Sequence, residues 1–114
     1  AKRIQKEIPR SGKMIKILNE SNFEEETSSG LLLVDFYADW CGPCKMLTPI
    51  LENISEKVDA SVCKVDGEKN RDLARKFGVR GIPLIVVLKD GEPVEQMVGF
   101  KDEKTIMEMI QRHA

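Results

Sequence analysis

No apolar run in this sequence approaches the roughly 20 residues that a membrane-crossing helix needs, so no span is expected. Histidine occurs once and cysteine only three times. Three thiols are too few for a scaffold built from disulfides. A structural zinc ion needs four ligands. Beyond one Cys-x-x-Cys pair only Cys63 and the lone C-terminal His113 remain, so no metal is expected and His113 reads as a solvated terminal residue. Neither sign of charge is in excess: 18 basic and 19 acidic residues leave a formal net charge of −1. That balance speaks against nucleic acid or another polyanion as partner. Internal repeats and low-complexity tracts are also lacking. What remains is one compact domain. With 114 residues, 41% of them apolar, the chain can fill a single core. At this size about two-thirds of the unfolded surface leaves water without a staple.

The informative stretch is Trp40-Cys41-Gly42-Pro43-Cys44-Lys45, with two thiols three positions apart. Before it, Leu31-Leu32-Leu33-Val34-Asp35-Phe36-Tyr37 is a nearly unbroken run of strand formers. After it, Met46, Leu47, Ile50, Leu51, Ile54 and Val58 are assigned to one helical face. Strand, tight turn and amphipathic helix form the βα setting in which Cys-x-x-Cys reads as a redox site. Such a pair closes or opens a small ring without moving the rest of the chain. Cys63 falls inside the strand pattern Ser61 to Val65 and reads as a reduced, small apolar residue.

Residues 1–13 are basic, contain Pro9 and Gly12, and lack the apolar residues needed to pack. They read as an N-terminal arm, a remnant of a longer precursor or a tag-like extension, with the domain proper at 14–114. No apolar segment of the secretory-signal type is present, so a cytoplasmic chain is expected; a signal already removed stays open, since the first residue is Ala1.

Met14 to Leu18 suits a short strand, and Ser21-Asn22-Phe23-Glu24 has the spacing of a capping box opening a short helix before Gly30. The run from Leu31 to Tyr37 does not alternate, which predicts a sheet centre covered on both faces. Pro49 predicts a kink rather than a stop in the helix after Cys41. Next come a strand at Ser61 to Val65, a helix capped by Asn70, and a strand at Leu84 to Leu88. Asp90-Gly91 turns the chain into a last strand, Val94 to Val98, with Pro93 placing it at an edge. A closing helix, roughly Asp102 to Arg112, should turn Ile106, Met107 and Ile110 inward. The order βαβαβα, hairpin, α predicts an α/β domain with a mixed sheet between helices.

These residues resemble the thioredoxin family. Asp35 to Lys45 is similar to its active-site segment, and Val79-Arg80-Gly81-Ile82-Pro83 resembles the loop before its cis-proline. Asp90-Gly91 and Val98-Gly99 resemble its hairpin turn and the glycine beside its active site. The likeness runs from about Met14 to the C-terminus and implies the thioredoxin fold, a central mixed five-stranded sheet flanked by helices on both faces. Two departures concern partner preference rather than chemistry: Leu84 follows the proline where threonine is usual, and Gly67 stands where a bulky apolar residue is common.

Cys41 is expected to be the nucleophile, because free N–H groups and the macrodipole at a helix N-terminus favour a thiolate. The family's thiol pKa, about 7 against an ordinary value of about 8.5, comes with the resemblance. It would raise the thiolate fraction at pH 7 from roughly 3% to 50%, while intrinsic nucleophilicity falls about fivefold. The net gain of about threefold is small, so positioning has to supply most of the rate. Cys44 is expected to resolve the mixed disulfide. Asp35, a carboxylate in an apolar strand, is the expected proton acceptor, its pKa raised by desolvation. The resemblance places Lys64 near that carboxylate, tempering its pKa, and makes the Ile82–Pro83 bond cis. It also makes Trp40, Gly42, Pro43, Gly81, Ile82, Pro83, Val98, Gly99 and Phe100 the surface that receives substrate, whose extended chain pairs with the backbone before the proline.

The resemblance implies a monomeric protein-disulfide reductase that needs no bound cofactor and is recharged by a thioredoxin reductase. Family acceptors include ribonucleotide reductase, peroxiredoxins and methionine sulfoxide reductases. A disulfide oxidase or isomerase on the same fold is the enzymatic rival. Oxidising relatives commonly carry histidine between the cysteines, where this chain has Gly42-Pro43. A binding module with incidental redox activity is the rival from another class.

Overall fold

The structure is a computed structural model describing residues 15–114; the N-terminal arm and Met14 lie outside the described residues. The elements are β1 (Ile15–Leu18), α1 (Phe23–Thr27), β2 (Leu31–Tyr37), α2 (Gly42–Ser55), β3 (Ser61–Asp66), α3 (Arg71–Lys76), β4 (Leu84–Lys89), β5 (Glu92–Val98) and α4 (Glu103–Gln111). The sheet order is β1-β3-β2-β4-β5. β3 runs parallel to β1 and β2, whereas β4 is antiparallel to β2 and β5. β2 therefore lies at the centre, and residues Leu32 to Phe36 are all buried, as its unalternating sequence predicts.

Alternate residues of β2 serve two separate cores. Leu32, Val34 and Phe36 pack on one face with Phe23, Leu73 and Phe77. Leu33 packs on the other with Leu47, Leu51 and Ile54 of α2 and Ile106, Met109 and Ile110 of α4. Asp35 shares the parity of Leu33, so it points toward the layer of α2 and α4. Leu51 is fully buried there. Leu51→Ala should cost about 2–5 kcal/mol, read as a lower urea midpoint with unchanged slope.

Several local expectations are corrected. Met46 is 62% exposed, because the buried stripe of α2 passes through Leu47, Leu51 and Ile54, and Met46 sits one helical step to its side. In α4 the fully buried methionine is Met109, while Met107 packs only partly. The capping box does not form: Asn22 occupies the cap of α1, but its Oδ1 accepts from Asn19 N at 2.8 Å and from no N–H of the helix. Asn19 Oδ1 instead accepts from Ser21 N, Ser21 Oγ and Asn22 N at 2.9, 2.6 and 3.1 Å, a local turn that competes with the cap. Asn70 stands at the cap of α3 but bonds elsewhere, accepting from Glu20 N and donating to Asp66 O. Glu20 Oε2 accepts from Asp72 N in its stead. As expected, Pro49 does not stop α2, which runs on to Ser55.

The hairpin turn is as its sequence predicts. Asp90 and Gly91 have φ of 51° and 86°, the left-handed pair that matches strand twist in a two-residue loop. β5 is an edge strand, with Pro93 opposite Leu88 beside a register shift.

Candidate active site

The chain leaves β2 at Tyr37 and enters α2 within a few residues, which puts Cys41 at the N-cap. Gly42 and Pro43 open the first turn, where a missing proline N–H costs nothing. Cys41 Sγ accepts from Cys44 N at 3.2 Å, so the sulfur takes the role a serine or aspartate cap usually fills. The two sulfurs are joined in a disulfide, with Cα atoms 5.3 Å apart. Both cysteines are buried, Cys41 at 4% exposure and Cys44 at 2%, so in this oxidised form exposure hardly separates them. Position does: Cys41 sits at the open end of the helix and Cys44 lies within its first turn. Ala38, Tyr37 and Ile82 pack around the pair.

Asp35 is fully buried, and neither carboxylate oxygen has a hydrogen-bond partner. Burial pushes its pKa up to about 7, and the Lys64 charge pulls in the opposite direction. Lys64 is the register partner of Asp35 in β3, as expected. Its amine, however, donates to Thr48 Oγ1 at 2.7 Å rather than to the carboxylate, and stands 4.5 Å from the Tyr37 ring centroid. Thr48 Oγ1 in turn donates to Cys44 O at 3.4 Å. Thr48 was missed from the sequence, although its place one turn after Cys44 is the signal that could have found it. Tyr37 was also missed as a site residue; burial, then Asp66, Asp39 and Asp35, raise its phenol pKa.

The Ile82–Pro83 bond is cis, and Pro83 is buried. Pro83 O accepts from Gly99 N at 2.7 Å, which ties the proline loop to the end of β5. Gly99 has φ of 96°, a backbone state that side chains disfavour. At Gly81 an added Cβ would lie 3.0 Å from Val98 Cγ1, so the loop before Pro83 runs close against the end of β5. Trp40 and Val98 are 67% and 57% exposed, and Gly42, Pro43 and Phe100 are exposed as well. Gly81, Ile82 and Gly99 are half-buried.

His113 is corrected. Its Nε2 lies 2.8 Å from Glu95 Oε1, and Arg112 pairs with the same carboxylate, which pins the end of the chain to β5. Among the described residues no three His, Cys, Asp or Glu side chains group as a metal site, and no helix is long and apolar enough to cross a membrane.

A disulfide that spans only three positions, and closes at a helix start rather than between elements, ties together nothing that the helix does not already hold. Its use is chemical, and the domain is a thiol–disulfide oxidoreductase. The thioredoxin family profile matches residues 14–112, and the chain belongs to the thioredoxin family. It is 45% identical over 98 residues to thioredoxin of Staphylococcus saprophyticus, covering 84% of this chain and 94% of that one. It is 44% identical over 96 residues to thioredoxin of Bacillus subtilis, covering 82% and 92%. Among solved structures, a mutant thioredoxin from Halobacterium salinarum NRC-1 superposes with a TM-score of 0.83 at 39% identity, covering 91% of this chain and 94% of that one. Schistosoma mansoni thioredoxin gives 0.79 at 34% identity, covering 88% and 95%. Membership makes the chain a protein-disulfide reductase and implies a thioredoxin reductase and disulfide-bearing proteins as partners.

Proposed function

We propose that the domain works as a monomer in the cytoplasm and divides the exchange among named residues. Cys41 thiolate attacks one sulfur of the substrate disulfide; that S–S bond breaks, and the other substrate sulfur leaves as a thiolate that takes up a proton. Cys44, deprotonated by Asp35, then attacks Cys41 Sγ. The mixed disulfide breaks, the second substrate sulfur leaves and is protonated, and the Cys41–Cys44 disulfide remains. Two electrons and two protons pass from the dithiol to the substrate, and the reductase returns them. Lys64 holds the Asp35 pKa from rising further. Trp40, Gly42, Pro43, Gly81, Ile82, Pro83, Val98, Gly99 and Phe100 receive the substrate chain. The carrying observation is the Cys41–Cys44 disulfide at the N-cap of α2. The unpartnered carboxylate of Asp35, on the sheet face that α2 covers, supports the choice of base.

A Cys41→Ser/Cys44→Ser double variant should lose dithiothreitol-driven insulin reduction down to the uncatalysed rate. If that variant still performed the biological task, the binding-module reading would replace this one. Equilibration with glutathione buffers separates reductant from oxidase: half-oxidation only in a strongly oxidising buffer would sink the reductant assignment.

A further inference from the structure

A groove of about 510 Å³ runs from Trp40 and Ile82 to α3, within the ~300–1,000 Å³ range of ligand clefts. Ile82 also packs against Cys41 and Cys44, and Trp40 directly precedes Cys41, so the groove opens next to the sulfurs. Gly67, which carries no side chain, and Ala74 line it as well. The groove is cationic. Arg71, Arg75 and Arg80 line it, and Glu68 is the one carboxylate among the lining residues.

All three arginines are exposed. Arg75 is paired with Asp72. Arg71 donates through Nε to Glu68 O at 3.4 Å. Among the described residues no carboxylate forms an ion pair with Arg71 or Arg80. The chain as a whole carries a formal charge of −1, so this positive cluster is local and not a by-product of a basic protein. Disulfide exchange itself makes no use of it.

We propose that this groove takes the substrate chain beside its reacting cysteine, and that Arg71 and Arg80 select substrates with acidic side chains there. The inference rests on the reductase reading above and specifies its substrate class. Charge complementarity carries it. Guanidinium groups that form no ion pair with a carboxylate among the described residues present flat, multiple donors that match one, and the apolar surface of Trp40 and Ile82 beside them accommodates the chain. Lysine-rich segments would meet like charge in the same place.

The test offers dithiothreitol-reduced protein a set of disulfide peptides that differ only in flanking residues: glutamate, glutamine or lysine. Second-order rate constants are followed by Trp40 fluorescence. An exposed charge pair shifts an equilibrium by roughly 1.4- to fivefold, so two arginines should favour the glutamate over the lysine peptide by about five- to tenfold at low ionic strength. Arg71→Gln/Arg80→Gln should reduce that ratio to about twofold, as should ~1 M salt. The change should fall on the concentration dependence and leave the limiting rate alone. Because it is a ratio between peptides, it is insensitive to any loss of folded protein. Equal rates for all peptides with the unsubstituted protein, or a preference undiminished by the double substitution, would overturn the inference. Failure to reduce even the glutamine peptide would bring down the reductase reading as well.

Discussion

Cys44→Ser should turn the reaction into a trap. Attack by Cys41 still forms the mixed disulfide, but no thiol within the protein then releases it. Release falls to external thiol at ~1 mM, in place of a group held within the same helical turn. Well-oriented intramolecular groups act at effective concentrations of ~10⁵ M or more. Even if Cys44 attained only ~10 M, the loss in turnover would be about 10⁴-fold. Steady-state reduction should vanish, and intact mass spectrometry should show a substrate adduct that dithiothreitol removes. The Cys41→Ser variant should show no adduct at all. Adduct formation in that variant, on Cys44, would reverse the roles assigned to the two thiols.

Asp35→Asn should be more stable than the parent at high pH and less active. In the folded protein the Asp35 carboxyl is pushed up to about 7 from its ordinary value of 3.8. Its cause is burial, partly offset by the Lys64 charge. A raised acid pKa means that the native state holds the proton longer than the unfolded chain does. Stability therefore falls as pH rises from about 4 to about 7, and the full cost, about 4 kcal/mol, is present above pH 7. Asparagine removes that ionic cost and keeps the shape. At pH 8 the oxidised variant should gain about 3–4 kcal/mol, which raises Tm by more than ~10 °C. At pH 5 about 1.5 kcal/mol of that gain should remain, and below about pH 4 it should nearly disappear. A gain of the same size at both pH values would rule out carboxylate desolvation as the source. If Asp35 takes the Cys44 proton as proposed, the same substitution should slow turnover by about 10²-fold or more. Function and stability thus oppose each other at this one side chain.

Sequence reading reached most of this site because its signals are local. The thiol spacing, the strand before it and the apolar stripe after it all lie within residues 31–58. Leu31 to Tyr37 has no alternation, and that absence itself identified the central strand. The same absence left open which face Asp35 takes, since a strand buried on both sides has no polar parity to read. For the cis bond at Pro83, nothing in the residues themselves was informative; only the family likeness pointed to it.

By itself, then, the sequence determined the order of elements, the redox pair, its place at a helix start and the hairpin turn. Periodicity and turn chemistry act over a few residues and are written into the chain directly. Tertiary structure alone decided that Lys64 bonds Thr48 rather than Asp35, that Glu20 rather than Asn70 caps α3, and that Met46 stays in solvent. It also brought Arg71 and Arg80 to the groove beside Trp40. Each polar group there had several partners within its chemical means. Which one it met depended on where distant segments came to rest when the two cores closed on the sheet.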